Sequence, residues 1–310
     1  MGRVRLVVVR RGRLASSALA LAVGFLLLTS SHFCWLERLL CGVKPGVRLD
    51  GRPIGGLLRA ELEAAVREMA APWRVEPRNA TLNRDTGQVV PEQRGAEVDV
   101  VRTVDRACLA RPNQVLECVL APIDPRVTAR ALLRAVELLG EYATFVAGSE
   151  NRAGNAGLAA SLLNYTVVGP GDLFSFNQTV GPRTAERGFR PAPVIVGSGI
   201  AMEPGGGVCQ VSSTLYNAVL AAGMEVVERH PHGLPVYYVP PGRDATVAYD
   251  YLDLKFLNPR KTPVVVRAHY ARRWLKIWIQ GCREDGGSAG TSADSSKRND
   301  SDSRGRARVE

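Results

Sequence analysis

The run GGGVCQVSSTLYNAVLAAG, Gly205 to Gly223, constrains this chain more than any other stretch. Glycine accepts backbone angles that other residues avoid and lets other atoms approach closely. Three glycines ahead of a helix start therefore mark a place where backbones crowd. Val211, Leu215, Val219 and Leu220 put an apolar stripe on the helix that follows, and Gly223 ends it. Cys209 falls at the start of that helix, beside unpaired amides and the positive end of the helix dipole. Both favour the thiolate, the reactive form of cysteine. The competing reading is a buried structural cysteine.

A nucleophilic cysteine needs a base. His230 and His232 follow in ERHPHG, at the end of the strand EVVERH. A helix of roughly 12 residues covers about 18 Å, and a returning strand of five or six residues covers about 17–20 Å. The lengths match, so either histidine can lie near the thiol. A third group usually fixes the histidine tautomer. Asp244 in GRDATV is the first candidate, with Arg243, Glu228 and Asn177 behind it. Backbone amides from Gly207 to Cys209 are candidates to hold an oxyanion. Gly206, Gly207, Gln210, Ser212 and Asn177 are assigned to substrate or oxyanion binding. Zinc on Cys209, His230 and His232 is the other chemistry open to these residues, but the spacing is not a standard zinc pattern. No metal and no cofactor are expected.

The rest of the chain reads as α+β. Residues 43–121 form a small module in which Leu62, Val66 and Met69 lie at helical spacing. WRVEP, ATLNRDTGQVVPE and AEVDVVRTV read as strands around turns. Asp124-Pro125 opens a helix through Leu139 that stops at Gly140, so residues 122–144 are a linker helix. Residues 145–282 form a second, mixed domain. Asn151 caps a helix through Leu163. TVVGPGDLFSFNQTVG gives two strands, and RPAPVIVGSGIAM adds one before the glycines. YLDLKFLN, TPVVVRAHY and WLKIWIQG end it as an antiparallel meander. The tail, 283–310, is Ser, Gly, Asp and Arg with almost no apolar residues, and is expected to be disordered.

The N-terminus carries Arg3, Arg5, Arg10, Arg11 and Arg13 ahead of the apolar run Leu14 to Leu28, with no acid before Glu37. That pattern is a membrane anchor over residues 1–42, N-terminus in the cytoplasm and the rest outside. A cleaved signal peptide is the alternative. Half of the net charge of +10 is those five arginines, so the exported part is only mildly basic. No arginine-rich helix with interleaved aromatics occurs, which argues against nucleic acid as a partner. An exported chain can oxidise its six cysteines, and Cys108 and Cys118 flank a loop short enough to pair across.

NRAGN, LNYTVVGPGDLFSFN, GGGVCQVSSTLYNAVLAAG, ERHPHG, VPPGRDATV and LDLKFLN, in this order, resemble the VanW domain. VKPGVRLDGRPIGGL resembles the opening of a peptidoglycan-binding module found before VanW and some L,D-transpeptidase domains. The resemblance implies a cell-wall protein whose partners are peptidoglycan stem peptides. It places the family's cysteine on Cys209, and its pattern also covers His232, His230 and Asp244. It implies an L,D-transpeptidase that forms 3-3 cross-links, or an L,D-carboxypeptidase when water is the acceptor. Its rival is a non-catalytic scaffold linked to glycopeptide resistance. Two departures stand out: Pro231 between the histidines, and Tyr165 where the family commonly has glycine. The oligomeric state is not legible.

Overall fold

The computed structural model describes residues 35–196 and 199–282. The apolar run expected to be an anchor and the tail from 283 lie outside the described residues. Among those described, no helix is long and apolar enough to cross a membrane.

The fold is α+β, as the sequence indicates. Residues 35–41 are helical (α1). Strand β1 (Arg48–Leu49) pairs antiparallel with β2 (Arg52–Pro53) and parallel with β6 (Val115–Leu116). Helix α2 (Arg59–Ala70) buries Leu62, Val66 and Met69, the three residues at helical spacing. The hairpin β3 (Thr81–Leu82) and β4 (Val89–Val90) follows. AEVDVVRTV is not one strand. Strand β5 (Gly95–Val98) stops at Asp99, whose carboxylate accepts from the Arg102 amide at 2.9 Å and caps α3 (Val100–Cys108). Strand β7 (Leu120–Ile123) pairs with β5. Leu49, Leu62, Val66, Val104 and Leu116 share one core.

Cys108 and Cys118 border that core as free thiols, so the pairing left open by their spacing is not formed. Burial, and after it the Asp50 carboxylate, push the Cys118 thiol up to about 12.

The linker helix is largely absent. Thr128, not Asp124, caps a single short helix, α4 (Ala129–Arg134), and Glu137–Phe145 is strand β8. Its Leu, Glu and Ala residues favour helix locally, but pairing with β16 (Trp274–Gly281) overrides that preference. Gly140 is no helix stop. A Cβ there would lie 2.3 Å from the Ala222 nitrogen, so glycine lets a helix lie close against the strand.

Strand β8 is one edge of a four-stranded antiparallel sheet, β8-β16-β15-β9, with β15 at Val264–Ala271 and β9 at Thr166–Val168. One face is apolar by alternation: Val264, Val266 and Ala268 on β15; Leu275, Ile277 and Ile279 on β16. Helices α5 (Glu150–Leu163) and α7 (Val208–Ala221) cover it. The alanines at 153, 156, 159 and 160 keep the buried side of α5 thin.

The expected meander is divided. Strands β15 and β16 form its hairpin, while β14 (Lys255–Leu257) sits between β10 (Leu173–Ser175) and β13 (Glu225–Glu228) in a second sheet. There Phe174 stacks on Phe256 at 4.6 Å. FSFN is not all strand. Ser175 ends β10, and its hydroxyl accepts from the Gln178 amide at 3.0 Å to cap α6 (Phe176–Val180). RPAPVIVGSGIAM holds two paired strands, β11 (Pro191–Val196) and β12 (Gly199–Pro204).

Tyr165 sits at φ +61°, in the left-handed region that favours glycine, which is a physical reason for a glycine at this position. Here the tyrosine ring lies under the Arg267 guanidinium at 4.1 Å and against Gly87 of the β3–β4 turn. The side chain thus joins the two halves of the fold.

Gly154 has no such reason. It lies exposed within α5, and a Cβ there would meet nothing within 4 Å. Gly154→Ala is expected to stabilise the protein by about 0.5–1 kcal/mol. An unchanged or lower urea midpoint would contradict this.

Candidate active site

Each glycine of the triplet has its own task. Gly205, at φ +97°, leaves room for the Arg183 stem, whose Cβ would lie 2.8 Å from an added Cβ. Gly206 lies against β11, where an added Cβ would come within 2.7 Å of the Ala192 and Pro193 carbonyl oxygens. Gly207, at φ +109°, is the N-cap of α7, and a Cβ there would stand 2.7 Å from the Arg152 oxygen. Asn155 fixes the turn by donating to the Gly206 carbonyl at 3.0 Å. Cys209 is thereby held as the second residue of a 14-residue helix and stays partly buried.

The same helix anchors the acid. The Ser213 hydroxyl accepts from the Ala245 amide at 2.8 Å, the Ser212 hydroxyl donates to the Ala245 carbonyl at 2.6 Å, and Asn217 donates to the Arg243 carbonyl at 2.7 Å. These bonds hold Asp244, 7% exposed, alongside α7. Its Oδ2 accepts from the His232 backbone amide and from His232 Nδ1, both at 2.7 Å. Its Oδ1 accepts from Arg229 at 2.8 Å. The Arg229 guanidinium rests over the Tyr216 ring of α7, 5.5 Å from its centroid. With Nδ1 committed to Asp244, Nε2 of His232 is the nitrogen available to the thiol. The Tyr238 hydroxyl lies 3.4 Å from that nitrogen.

The two histidines therefore separate. His232 lies close enough to Cys209 for each to shift the other's ionisation, and its side chain is only 4% exposed. His230 hydrogen-bonds Glu228 at 3.0 Å, and Glu228 also pairs with Lys255 at 2.8 Å. Sequence spacing leaves both open; the choice is made by which carboxylate each ring meets.

The charges favour an ion pair. Burial pushes the Cys209 thiol up, but the His232 hydrogen bond, the Val247 backbone, and the His232 and Arg183 charges together bring it below its ordinary value. Burial pushes His232 down, and the hydrogen bonds and charges of Cys209 and Asp244 raise it above its ordinary value. Burial also works against the Asp244 carboxylate, yet the His232 hydrogen bonds hold it below the usual carboxylate range. A lowered thiol beside a raised imidazole moves both groups toward the thiolate–imidazolium form.

The other expected site residues have structural tasks. Gln210, 1% exposed, donates to the Phe145 carbonyl at 2.9 Å and to Thr144 at 3.1 Å, and accepts from Arg152 at 3.1 Å. Ser212 supports the Asp244 segment. Asn177 accepts from Arg183 at 2.7 Å and donates to two backbone carbonyls, so it touches the site only through that arginine. Of the amides proposed for an oxyanion, Val208 already donates to the Gly205 carbonyl at 3.0 Å. Among the described residues, no group of three or more His, Cys, Asp or Glu side chains is placed to hold a metal ion.

Arg183, Arg229 and Tyr238 were not legible as site residues. Arg229 stands beside His230 in ERHPHG, but nothing in that stretch ties it to Asp244, and Arg183 and Tyr238 lie in loops, where an arginine or tyrosine carries no periodic signal.

Residues 151–280 match the family model described as VanW like protein. The chain is 39% identical over 198 residues to the uncharacterized protein YoaR of Bacillus subtilis (strain 168), covering 62% of this chain and 65% of that protein. It is 29% identical over 114 residues to the vancomycin B-type resistance protein VanW of Enterococcus faecalis (strain ATCC 700802 / V583), covering 35% of this chain and 42% of that protein. The matched region is thus less than two thirds of each of these relatives. No solved structure matches significantly.

Proposed function

We propose that this protein, whose residues 151–280 form a VanW-like domain, is a cysteine acyltransferase of peptidoglycan stem peptides. The observation that carries the reading is the line Cys209–His232–Asp244, with the thiol lowered and the imidazole raised. The name of the E. faecalis relative, a vancomycin resistance protein, supports a place in cell-wall chemistry. The arginines ahead of the N-terminal apolar run support an outward-facing protein. The module over residues 43–121 would hold peptidoglycan.

The chemistry follows from the ion pair. The Cys209 thiolate attacks the carbonyl of the third stem residue, forming the C–S bond. The tetrahedral intermediate collapses and its C–N bond breaks. The imidazolium of His232 gives its proton to the departing amine of the terminal residue, leaving a thioester. Neutral His232 then takes a proton from an incoming amine as that amine attacks the thioester. The C–S bond breaks, the thiolate returns, and a new amide joins two stems. Asp244 keeps Nδ1 protonated throughout and steadies the imidazolium. Water in place of the amine gives the carboxypeptidase reaction.

The test is intact-protein mass spectrometry after incubation with a disaccharide-tetrapeptide, beside Cys209→Ala. The expected result is an adduct of the tripeptide muropeptide acyl group on the wild-type protein alone, with dimers or shortened peptides in solution. Absence of adduct and product, with sacculus binding retained by both proteins, would replace this reading with the scaffold.

A further inference from the structure

Arg183 is the charged group of this site that the steps above leave without a task. It lies in the loop after α6, packed on Gly205, four residues ahead of the nucleophile. Its Nη2 donates to Asn177 Oδ1 at 2.7 Å. Its Nη1 is buried and has no hydrogen-bond partner. The guanidinium lies 5.6 Å from the Phe176 ring centroid and 5.9 Å from that of Tyr249. Among the described residues no carboxylate forms an ion pair with it. Asp253 is near enough to be felt but is already engaged, accepting from Ser175 at 2.6 Å, the Asn177 amide at 2.9 Å and the Leu254 amide at 2.8 Å.

A buried guanidinium nitrogen without an acceptor is costly, and a second cation, Arg187, adds to the local positive potential. Such an arrangement is stable to keep only if its geometry is fixed by other bonds. It is: Asp253 holds the Asn177 backbone, and the Asn177 side chain donates to the Ala248 and Leu252 carbonyls and accepts from Arg183. A planar fork held with one arm empty matches a carboxylate.

We propose that Arg183 is the anion-recognition residue of this site, its Nη1 receiving the C-terminal carboxylate of the acyl-donor peptide beside the carbonyl that Cys209 attacks. This rests on Cys209 being the acyl-transfer nucleophile. The consequence is exo specificity: the carboxylate is held one residue beyond the bond that breaks, so only the last residue leaves. Gly205 acquires a reason in chemistry, since any side chain there would displace the Arg183 stem.

The test uses two small alkylating agents on the full-length protein, with Cys209 modification read by peptide mass spectrometry. Both react by the same displacement, in which the thiolate forms a C–S bond and iodide leaves. Iodoacetate carries a carboxylate and iodoacetamide does not. A change in thiol pKa moves both rates together, so their ratio isolates anion recognition. Arg183→Gln is expected to lower the iodoacetate-to-iodoacetamide ratio about tenfold or more. Arg183→Lys, which keeps a charge without the fork, should fall between. On the wild-type protein, N-acetyl-D-alanine should slow iodoacetamide at Cys209, and its amide should not. This last arm needs no variant to fold. An unchanged ratio in Arg183→Gln, or equal protection by acid and amide, would overturn the assignment. Slower acyl transfer from acid and amide donors alike, at an unchanged ratio, would also overturn it and make Arg183 an oxyanion donor. Because the alkylation ratio needs no peptide turnover, it decides Arg183 even if no muropeptide reacts.

Discussion

His232→Ala abolishes the reactivity of Cys209 near neutral pH. The expectation follows from which influences remain. Burial raises the thiol, and the His232 hydrogen bond and charge are what chiefly bring it down. Without the imidazole, burial is opposed only by the Val247 backbone and the Arg183 charge, and the thiol moves back up. The thiolate fraction at pH 7 falls with it. Acyl transfer also loses its proton donor and acceptor, a contribution of about 10²–10⁴-fold by itself. The combined loss in turnover is expected to exceed about 10³-fold. His230→Ala should leave turnover within about threefold, because that ring meets Glu228 rather than the thiol. Equal losses in the two variants, measured as kcat/KM on a tetrapeptide muropeptide, would contradict the assignment.

Gly207→Ala is the substitution expected to damage the fold most. Its φ of +109° lies outside the region L-residues adopt with ease, and the new Cβ would stand 2.7 Å from the Arg152 backbone oxygen. The backbone cost is about 1–2 kcal/mol, and forced overpacking adds about 1–3 kcal/mol. A total of about 3 kcal/mol is a large share of the 5–15 kcal/mol or so that stabilises a typical domain. The helix start would shift, and Cys209 with it. The urea midpoint should therefore drop together with the rate of Cys209 alkylation. Gly51→Ala, with φ +79° but nothing within 4 Å, isolates the conformational part alone. A Gly207→Ala protein no less stable than Gly51→Ala would show that the close approach to Arg152 carries no weight.

The cysteine and its helix were legible because glycine, helix start and apolar stripe coincide within nineteen residues. Strands β15 and β16 were legible from alternation. The choice between His230 and His232 was not, because Pro231 breaks the local pattern. What decides it is the contact of Asp244 with both the backbone and ring of His232, twelve residues away. Strand β8 was misread for a similar reason. Its composition favours helix, and its partner β16 lies more than a hundred residues further on. Asp99 and Ser175 were visible as capping residues in hindsight of their position, each followed by a short helix where a strand was expected. Gln210 and Ser212 drew attention as polar neighbours of the cysteine, but α7 is buried on nearly every side, and its polar residues face backbone and hydroxyl partners rather than a ligand.

The central claim is a thiolate–imidazolium pair at Cys209 and His232, and its most direct measurement is the pH dependence of Cys209 alkylation by iodoacetamide. The thiol is lowered in the folded protein, so the thiolate is retained until the pH falls through that lowered value. The imidazole is raised, so its proton is kept until the pH rises through that raised value. The account predicts reactivity that appears below about pH 8.5 and changes again as His232 loses its proton, the two steps belonging to the coupled pair. His232→Ala should show a single ionisation displaced upward. A wild-type profile with one ionisation at or above the ordinary thiol value of about 8.5 would contradict the account.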